Sequence, residues 1–308
     1  MEINDPIFAD ETKAREYLEA QRWPTGPECP HCGVIAEATA MQGKAHRAGL
    51  YQCRACGQQF SVTVGTVYER SKIPLNKWLL ATHLICSSKT AISAHQLHRM
   101  LGITYKSAWF MAHRVREAMK DTDPGPMGGE GDQIQVDETM IGGTSKRAKS
   151  WRKGHGRKQE VVALVEPKSG KARAHHVKSA NSINVRDILV TGVHRSSTLV
   201  SDESKLYTKV GAEFADHQTV RHAAGKYVNP MGFTTNNVEN FFGVFKRGFK
   251  GTYSHCEAQH LQRYLAEFAF RYTNRSGVGV SDTERTAKAL ANIGGKRLTY
   301  RRTDEARY

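Results

Sequence analysis

The chain has 308 residues, room for about two domains and for a core that needs no disulfides. Its 45 Lys and Arg against 30 Asp and Glu leave a formal net charge of +15, which points to polyanionic partners, nucleic acid first. No apolar run reaches transmembrane length, and Met1 to Glu19 carries six acidic and two basic residues rather than an apolar leader, so no membrane partner and a cytoplasmic location are expected.

Residues 1–24 read as an N-terminal helical segment, with a helix from Asp10 to Trp23 capped by Asp10 and ended by Pro24. Residues 25–70 read as a zinc ribbon. Cys29-Pro30-His31-Cys32 and Cys53-Arg54-Ala55-Cys56 are two CxxC turns separated by twenty residues. Each turn aims two thiolates at one point, and four thiolates make the closed tetrahedral site that structural Zn²⁺ prefers. Cys86 and Cys256 have no such partner and read as buried or half-buried thiols. Gln59 to Val67 has the composition of a strand pair with a glycine between.

Residues 71–120 are helical in pattern, with helices predicted over Asn76 to Ser87, Ser93 to Leu101 and Tyr105 to Lys120. Helix, Gly-Ile-Thr turn, helix is the helix-turn-helix arrangement, although an ordinary three-helix bundle has the same pattern. The last helix is expected to expose Lys106, His113, Arg114 and Arg116 to phosphates and base edges. Residues 121–132, rich in Pro, Gly and acid, read as a linker.

Residues 133–280 read as one α/β domain. Strands are expected at Gln133 to Gly143, Val161 to Val165 and Ala172 to Val177. A helix over Asn184 to Val193, a strand over Thr198 to Glu203, a helix over Ser204 to Phe214 and a strand over Gln218 to His222 follow. Three antiparallel strands, helix, strand, helix, strand, helix is the order of an RNase H-like mixed sheet flanked by helices. That order puts Asp137 on the first strand and Asp202 at the end of the fourth, on adjacent central strands. The stretch Thr234 to Gly248 supplies the next helix, with Val238, Phe241, Phe242 and Phe245 on its buried face and Asn236, Glu239, Gly243 and Lys246 on a second stripe. Glu239 and Lys246 are nearly two turns apart and share a side.

Three carboxylates at one point are costly unless cations neutralise them. Mg²⁺ or Mn²⁺ suits such all-oxygen ligands, and a pair of these ions supports phosphodiester displacement. Asp137, Asp202 and Glu239 are the candidate ligands, and Lys246, beside Arg247 and Lys250, is the candidate phosphate contact. Separately, Asp202 could be a helix cap and Asp137 a strand-end turn residue. Ser145 to Lys158 carries Lys146, Arg147, Lys149, Arg152, Lys153, Arg157 and Lys158 with no acid, and Trp151 among them. Such a loop can lie along DNA with the indole stacked on a base, or be a solvated loop. Gln259 to Asn274 reads as a core helix, and residues 281–308 as a basic tail, loosely ordered from Gly294.

The sum of CPxCG, CxxC, Gly-Thr-Val-Tyr, Val-Asp-Glu-Thr-x-Ile-Gly-Gly and Asn-x-Val-Glu-x-Phe-Phe-x-x-x-Lys-Arg-Gly, followed by Gly-Thr-Tyr, resembles the bacterial insertion-sequence transposases with an N-terminal zinc ribbon and a DDE domain. The resemblance runs from about Trp23 to Arg275. It implies an RNase H-like domain that cleaves transposon ends and joins the 3′ ends to target DNA, so double-stranded DNA is the implied partner. It also implies a homo-oligomer that brings two ends together, in a bacterial cytoplasm. Asp137 and Asp202 match the first two acids. Glu239 matches the third because Lys246 follows seven residues on. In part of this group an asparagine stands there, which keeps Asn236 as the second candidate. A DNA-binding regulator with a degenerate second half, and an RNase H-like nuclease that never joins strands, are the rival readings.

Overall fold

The computed structural model describes residues 1–122, 125–142, 158–221 and 227–299. They divide into two units. The first holds Met1–Ser88, Ile92–Met119 and the stretch that begins at Ser281; the second holds Lys89–Ala91 and Lys120–Val280.

In the first unit, helix α1 (Glu11–Arg22) starts where the Asp10 carboxylate accepts from Thr12 N at 2.7 Å and Lys13 N at 3.0 Å. Strands β1 (Ala38–Ala40), β2 (Tyr51–Cys53) and β3 (Gln59–Phe60) form a small antiparallel sheet. The strand pair expected over Gln59 to Val67 is limited to β3, whose partner is β2; Ser61 onward runs in turns. Three rings close this part of the core, with Tyr51 stacked on Phe60 and Trp23 edge-on to both. Helices α2 (Leu75–Ser87), α3 (Ala94–Leu101) and α4 (Tyr105–Ala118) follow. Gly102, at φ 59°, ends α3 in the left-handed conformation, and Thr104 caps α4. Two helices thus follow one another across a short turn, an order that an ordinary three-helix bundle shares.

The C-terminal stretch corrects an expectation. Asp282–Ala291, read as part of a basic tail, is a helix of this unit, named α9 after the helices of the second unit. A Ser281–Glu284 capping box starts it. Its Thr286 hydroxyl lies 3.1 Å from His83 Nδ1 of α2, and Arg285 donates to Cys86 O at 2.8 Å. Leu290 and Ile293 are fully buried.

The second unit is built on a five-stranded sheet of β4 (Gln133–Ile141), β5 (Gln159–Val165), β6 (Ala172–Val177), β7 (Thr198–Asp202) and β8 (Asp216–Val220). Its order is β6-β5-β4-β7-β8. The first three strands are antiparallel; β7 joins β4, and β8 joins β7, in parallel. Crossover helices α5 (Ser182–Gly192) and α6 (Lys205–Gly211) cover one face, where Ile134, Val136, Val162 and Leu164 pack with Val185, Leu189 and Tyr207. Helices α7 (Asn236–Gly248) and α8 (Ala258–Thr273) cover the other. There Val161, Ala163 and Val165 meet Phe241, Phe245, Leu265 and Phe268. The unbroken apolar run of β5 thus reflects burial on both faces. At Gly248 a Cβ would stand 2.7 Å from the Phe268 ring, so the residue must be small where α7 meets α8.

Residues 125–132 are not a free linker. Met127 is buried, its N donates to Gly192 O at 2.8 Å and its O accepts from His194 N at 2.9 Å, which ties the stretch to the end of α5. No helix among the described residues is long and apolar enough to cross a membrane.

Candidate active site and metal centres

Alternation along β4 turns Ile134 and Val136 to the α5 side and Gln135 and Asp137 to the α7 side. Gln135 lies opposite Val200 in the parallel β4–β7 pair. Two residues further along that register Asp137 is level with Asp202, the last residue of β7. Glu239 comes from the first turn of α7. Asp137, Asp202, Thr235 and Glu239 line one cleft of about 220 Å³. Glu239 thus stands with the two strand acids, while Asn236 does not line the cleft; its backbone N donates to Thr234 Oγ1 at 3.4 Å.

The carboxylates are held by local bonds. Asp137 Oδ1 accepts from Glu138 N at 2.8 Å, and Asp202 Oδ1 from Ser204 N at 3.0 Å. Glu239 Oε1 accepts from the Thr235 hydroxyl at 2.6 Å. Burial raises the Asp137 carboxyl from its ordinary 3.8 to about 7, helped by the charges of Glu138, Asp202 and Glu239. Glu138, on the other face of β4, is also raised by burial, against the Tyr207 hydroxyl that donates to it. Among the described residues, those that line the cleft include no cationic side chain. A crowded set of carboxylate and hydroxyl oxygens fits hard divalent cations.

Gln135 and Thr235 belong to this site although neither was singled out from the sequence. Gln135 is buried, and its Oε1 accepts from Asn237 N at 2.9 Å and Val238 N at 3.2 Å at the start of α7. The available signals were a polar residue two positions before Asp137 on an apolar strand, and a threonine four positions before Glu239.

Lys246 is exposed in the last turn of α7, with Nζ 5.9 Å from the centre of the Phe242 ring and not among the cleft residues. Arg247 is exposed beside it, and Lys158 is exposed before β5. Lys146, Arg147, Lys149, Trp151, Arg152, Lys153 and Arg157 lie outside the described residues.

In the first unit, the sulfur atoms of Cys29, Cys32, Cys53 and Cys56 all lie within 4.8 Å of one another. Facing sulfurs approach to 3.7 Å (Cys29 and Cys56) and 3.6 Å (Cys32 and Cys53), a set that fits tetrahedral Zn²⁺.

The helical segment departs from expectation. Lys106 is exposed in the first turn of α4, but Arg114 and Arg116 are buried, and so is His113. Arg114 donates to Glu69 O and places its guanidinium 5.2 Å from the Trp78 ring centre and 5.6 Å from that of Phe110. Its charge faces carbonyl and aromatic surface inside the unit, so it is a packing residue and no phosphate contact.

The ISXO2-like transposase domain family matches residues 129–273, and the transposase zinc-ribbon domain family matches residues 9–59. An uncharacterized protein in transposable element ISH50 of Halobacterium salinarum is 27% identical over 276 residues, which are 86% of this chain and 91% of that one. Among solved structures, the catalytic core domain of BIV integrase is 18% identical with a TM-score of 0.29, over 44% of this chain and 80% of its own. The HTLV-2 integrase catalytic core domain in complex with magnesium is 14% identical with a TM-score of 0.29, over 44% and 83%.

Proposed function

We propose, from the premise that this chain is an insertion-sequence transposase built of a zinc ribbon and a DDE domain, that Asp137, Asp202 and Glu239 are its catalytic carboxylates. The observation that carries this reading is the single cleft lined by all three, one from each of β4, β7 and α7. Divalent cations bound there, Mg²⁺ or Mn²⁺, supply activation of a water or 3′-hydroxyl and stabilise the leaving oxygen of the phosphodiester. The chain's own part is positioning. The two strand acids come level through the sheet register, and Thr235 orients Glu239 through its hydroxyl. Lys246 and Arg247, exposed further along α7, are placed to hold the DNA backbone rather than a cation.

The complete acid set counts against a DNA-binding regulator with a degenerate second half. The four-cysteine cluster holds structural zinc and organises the small sheet of the first unit. With Arg114 and Arg116 turned inward, the DNA contact of the helical segment moves to Lys106 in the first turn of α4 and to His95, Gln96 and Arg99 on the exposed side of α3. The chain from Arg70 to Arg116 contains no Asp or Glu, so nothing acidic in it opposes a phosphate backbone. The DNA complex is at least dimeric, because two ends must be joined in one assembly.

The test is a strand-transfer assay on the element's own terminal sequences with Mg²⁺ or Mn²⁺. Asp137→Ala, Asp202→Ala and Glu239→Ala are expected to abolish joining, and Asn236→Ala to retain it. Joining that survives Glu239→Ala but not Asn236→Ala would move the third ligand one turn back. Cleavage without any joining in the wild type would make the protein a nuclease.

A further inference from the structure

We propose that Gln135 is a positioning residue for the third acid, gripping the first turn of α7 from the central strand and so setting where Glu239 stands against Asp137 and Asp202. The inference rests on the reading of those three carboxylates as the cation-holding set.

The opening turn of a helix carries N–H groups with no partner inside the helix. In most helices a Ser, Thr, Asp or Asn just before the helix supplies the acceptor. Thr235 stands at that position in α7 but makes no capping bond; its hydroxyl donates to Glu239 Oε1 instead. The acceptor is Gln135 Oε1, which takes Asn237 N at 2.9 Å and Val238 N at 3.2 Å. Gln135 is 1% exposed and Val238 0%, so water cannot replace the bond between them, while Asn237 is half-buried. A further hold comes from α8, where the Tyr272 hydroxyl donates to Asn237 O at 3.0 Å.

The rest of the α7 seat is apolar and aromatic, from Phe241 to Phe245. Such packing is non-directional and tolerates small slides of the helix. Two hydrogen bonds to one amide oxygen do not. Glu239 is the residue after Val238, so any slip of the first turn moves its carboxylate directly.

The residue type follows from the same geometry. A carboxylate at 135 would suit the positive end of the helix better than an amide. It would also put a further negative charge two residues from Asp137, on the same face of the strand. The amide oxygen accepts both N–H groups and adds no charge. A leucine would fill the space but leave the buried Val238 N–H and the half-buried Asn237 N–H without this acceptor.

The experiment uses the full chain loaded with zinc, with Mn²⁺ as the probe. It compares wild type, Gln135→Leu, Gln135→Asn and a control, Val185→Ala, which trims the core on the opposite face of the sheet. Two quantities are read: the Mn²⁺ concentration that half-saturates end cleavage, and the rise in melting temperature on adding Mn²⁺. Partners that orient metal ligands typically cost about tenfold or more in metal affinity when removed. Gln135→Leu is therefore expected to raise the half-saturating concentration about tenfold and to shrink the thermal response, whereas Val185→Ala lowers the melting temperature and leaves the half-saturation point where it was. Should Gln135→Leu fail to fold, Gln135→Asn draws the acceptor back by one methylene and is expected to shift metal use in the same direction. A wild-type half-saturation point in a folded Gln135→Leu or Gln135→Asn, or the same shift in Val185→Ala, would overturn the proposal and leave the catalytic assignment standing. A wild type indifferent to Mn²⁺ in both readouts would overturn both.

Discussion

The Thr235 hydroxyl donates to Glu239 Oε1 across 2.6 Å, so the residue at the N-cap position of α7 serves a carboxylate rather than the helix backbone. Thr235 is 1% exposed. The bond fixes one oxygen of Glu239. Thr235→Val keeps the shape and removes the donor. It is expected to cost about 1 kcal/mol of stability and several-fold in cleavage rate at saturating Mn²⁺. Denaturant titration and single-turnover cleavage check the two figures together; an unchanged rate would mean that Glu239 needs no help from this hydroxyl.

Asp137 gives a pH dependence whose sign follows from burial. Its folded-state pKa of about 7 stands above the ordinary 3.8, so the folded chain holds a proton that the unfolded chain releases between those values. The stabilisation from this group is fully present below about pH 4 and is lost as pH rises through 7. In buffer without Mg²⁺ or Mn²⁺, the urea midpoint is expected to fall between pH 5 and pH 8 by more in the wild type than in Asp137→Asn. Bound cations need the ionised form, so Mn²⁺ is expected to stabilise more at pH 8 than at pH 5. Parallel pH profiles of wild type and Asp137→Asn would contradict a neutral, half-buried carboxyl.

What could be read from the sequence was local and periodic. The two CxxC turns, the apolar run of β5, the amphipathic α7 and the strand order around Asp137 and Asp202 carry their own patterns, and the structure reproduces them. What could not be read depends on partners far along the chain. Gln135 caps a helix that begins 102 residues later, beyond any local capping pattern. Asp282–Ala291 shows only a narrow apolar face, and its seat on α2 comes from residues about two hundred positions earlier, such as His83 beneath Thr286. Arg114 and Arg116 were assigned to solvent by charge, yet aromatic neighbours such as Trp78 and Phe110 and a backbone carbonyl allow Arg114 to be buried. Charge predicts the partner of the whole chain better than the position of one arginine.

Removing zinc is expected to unfold the small sheet of the first unit. Its strands span only two or three residues each, and Tyr51, Phe60 and Trp23 form a core too small to hold the CxxC turns without metal. Chelation, or Cys53→Ser, is expected to abolish specific binding to the terminal sequences while the far-ultraviolet signal of the second unit survives. Zinc content by mass spectrometry, read with a binding assay on labelled ends, tests it; end binding retained in a zinc-free protein would assign the ribbon another role.

Lys106 and Arg114 are expected to separate DNA contact from packing within one helix. Lys106 is exposed at the first turn of α4, so Lys106→Ala is expected to leave the melting temperature unchanged and weaken binding to any duplex, with the slope of log affinity against log salt reduced by about 1. Arg114 packs near the Trp78 and Phe110 rings and donates to Glu69 O. Arg114→Ala removes that packing and leaves the carbonyl unpaired, and is expected to destabilise the first unit by about 2–3 kcal/mol. Whatever Arg114→Ala variant remains folded at low temperature should keep the wild-type salt slope, because the lost charge faced no phosphate. A reduced slope in Arg114→Ala with an unchanged melting temperature would put the arginine back on the DNA.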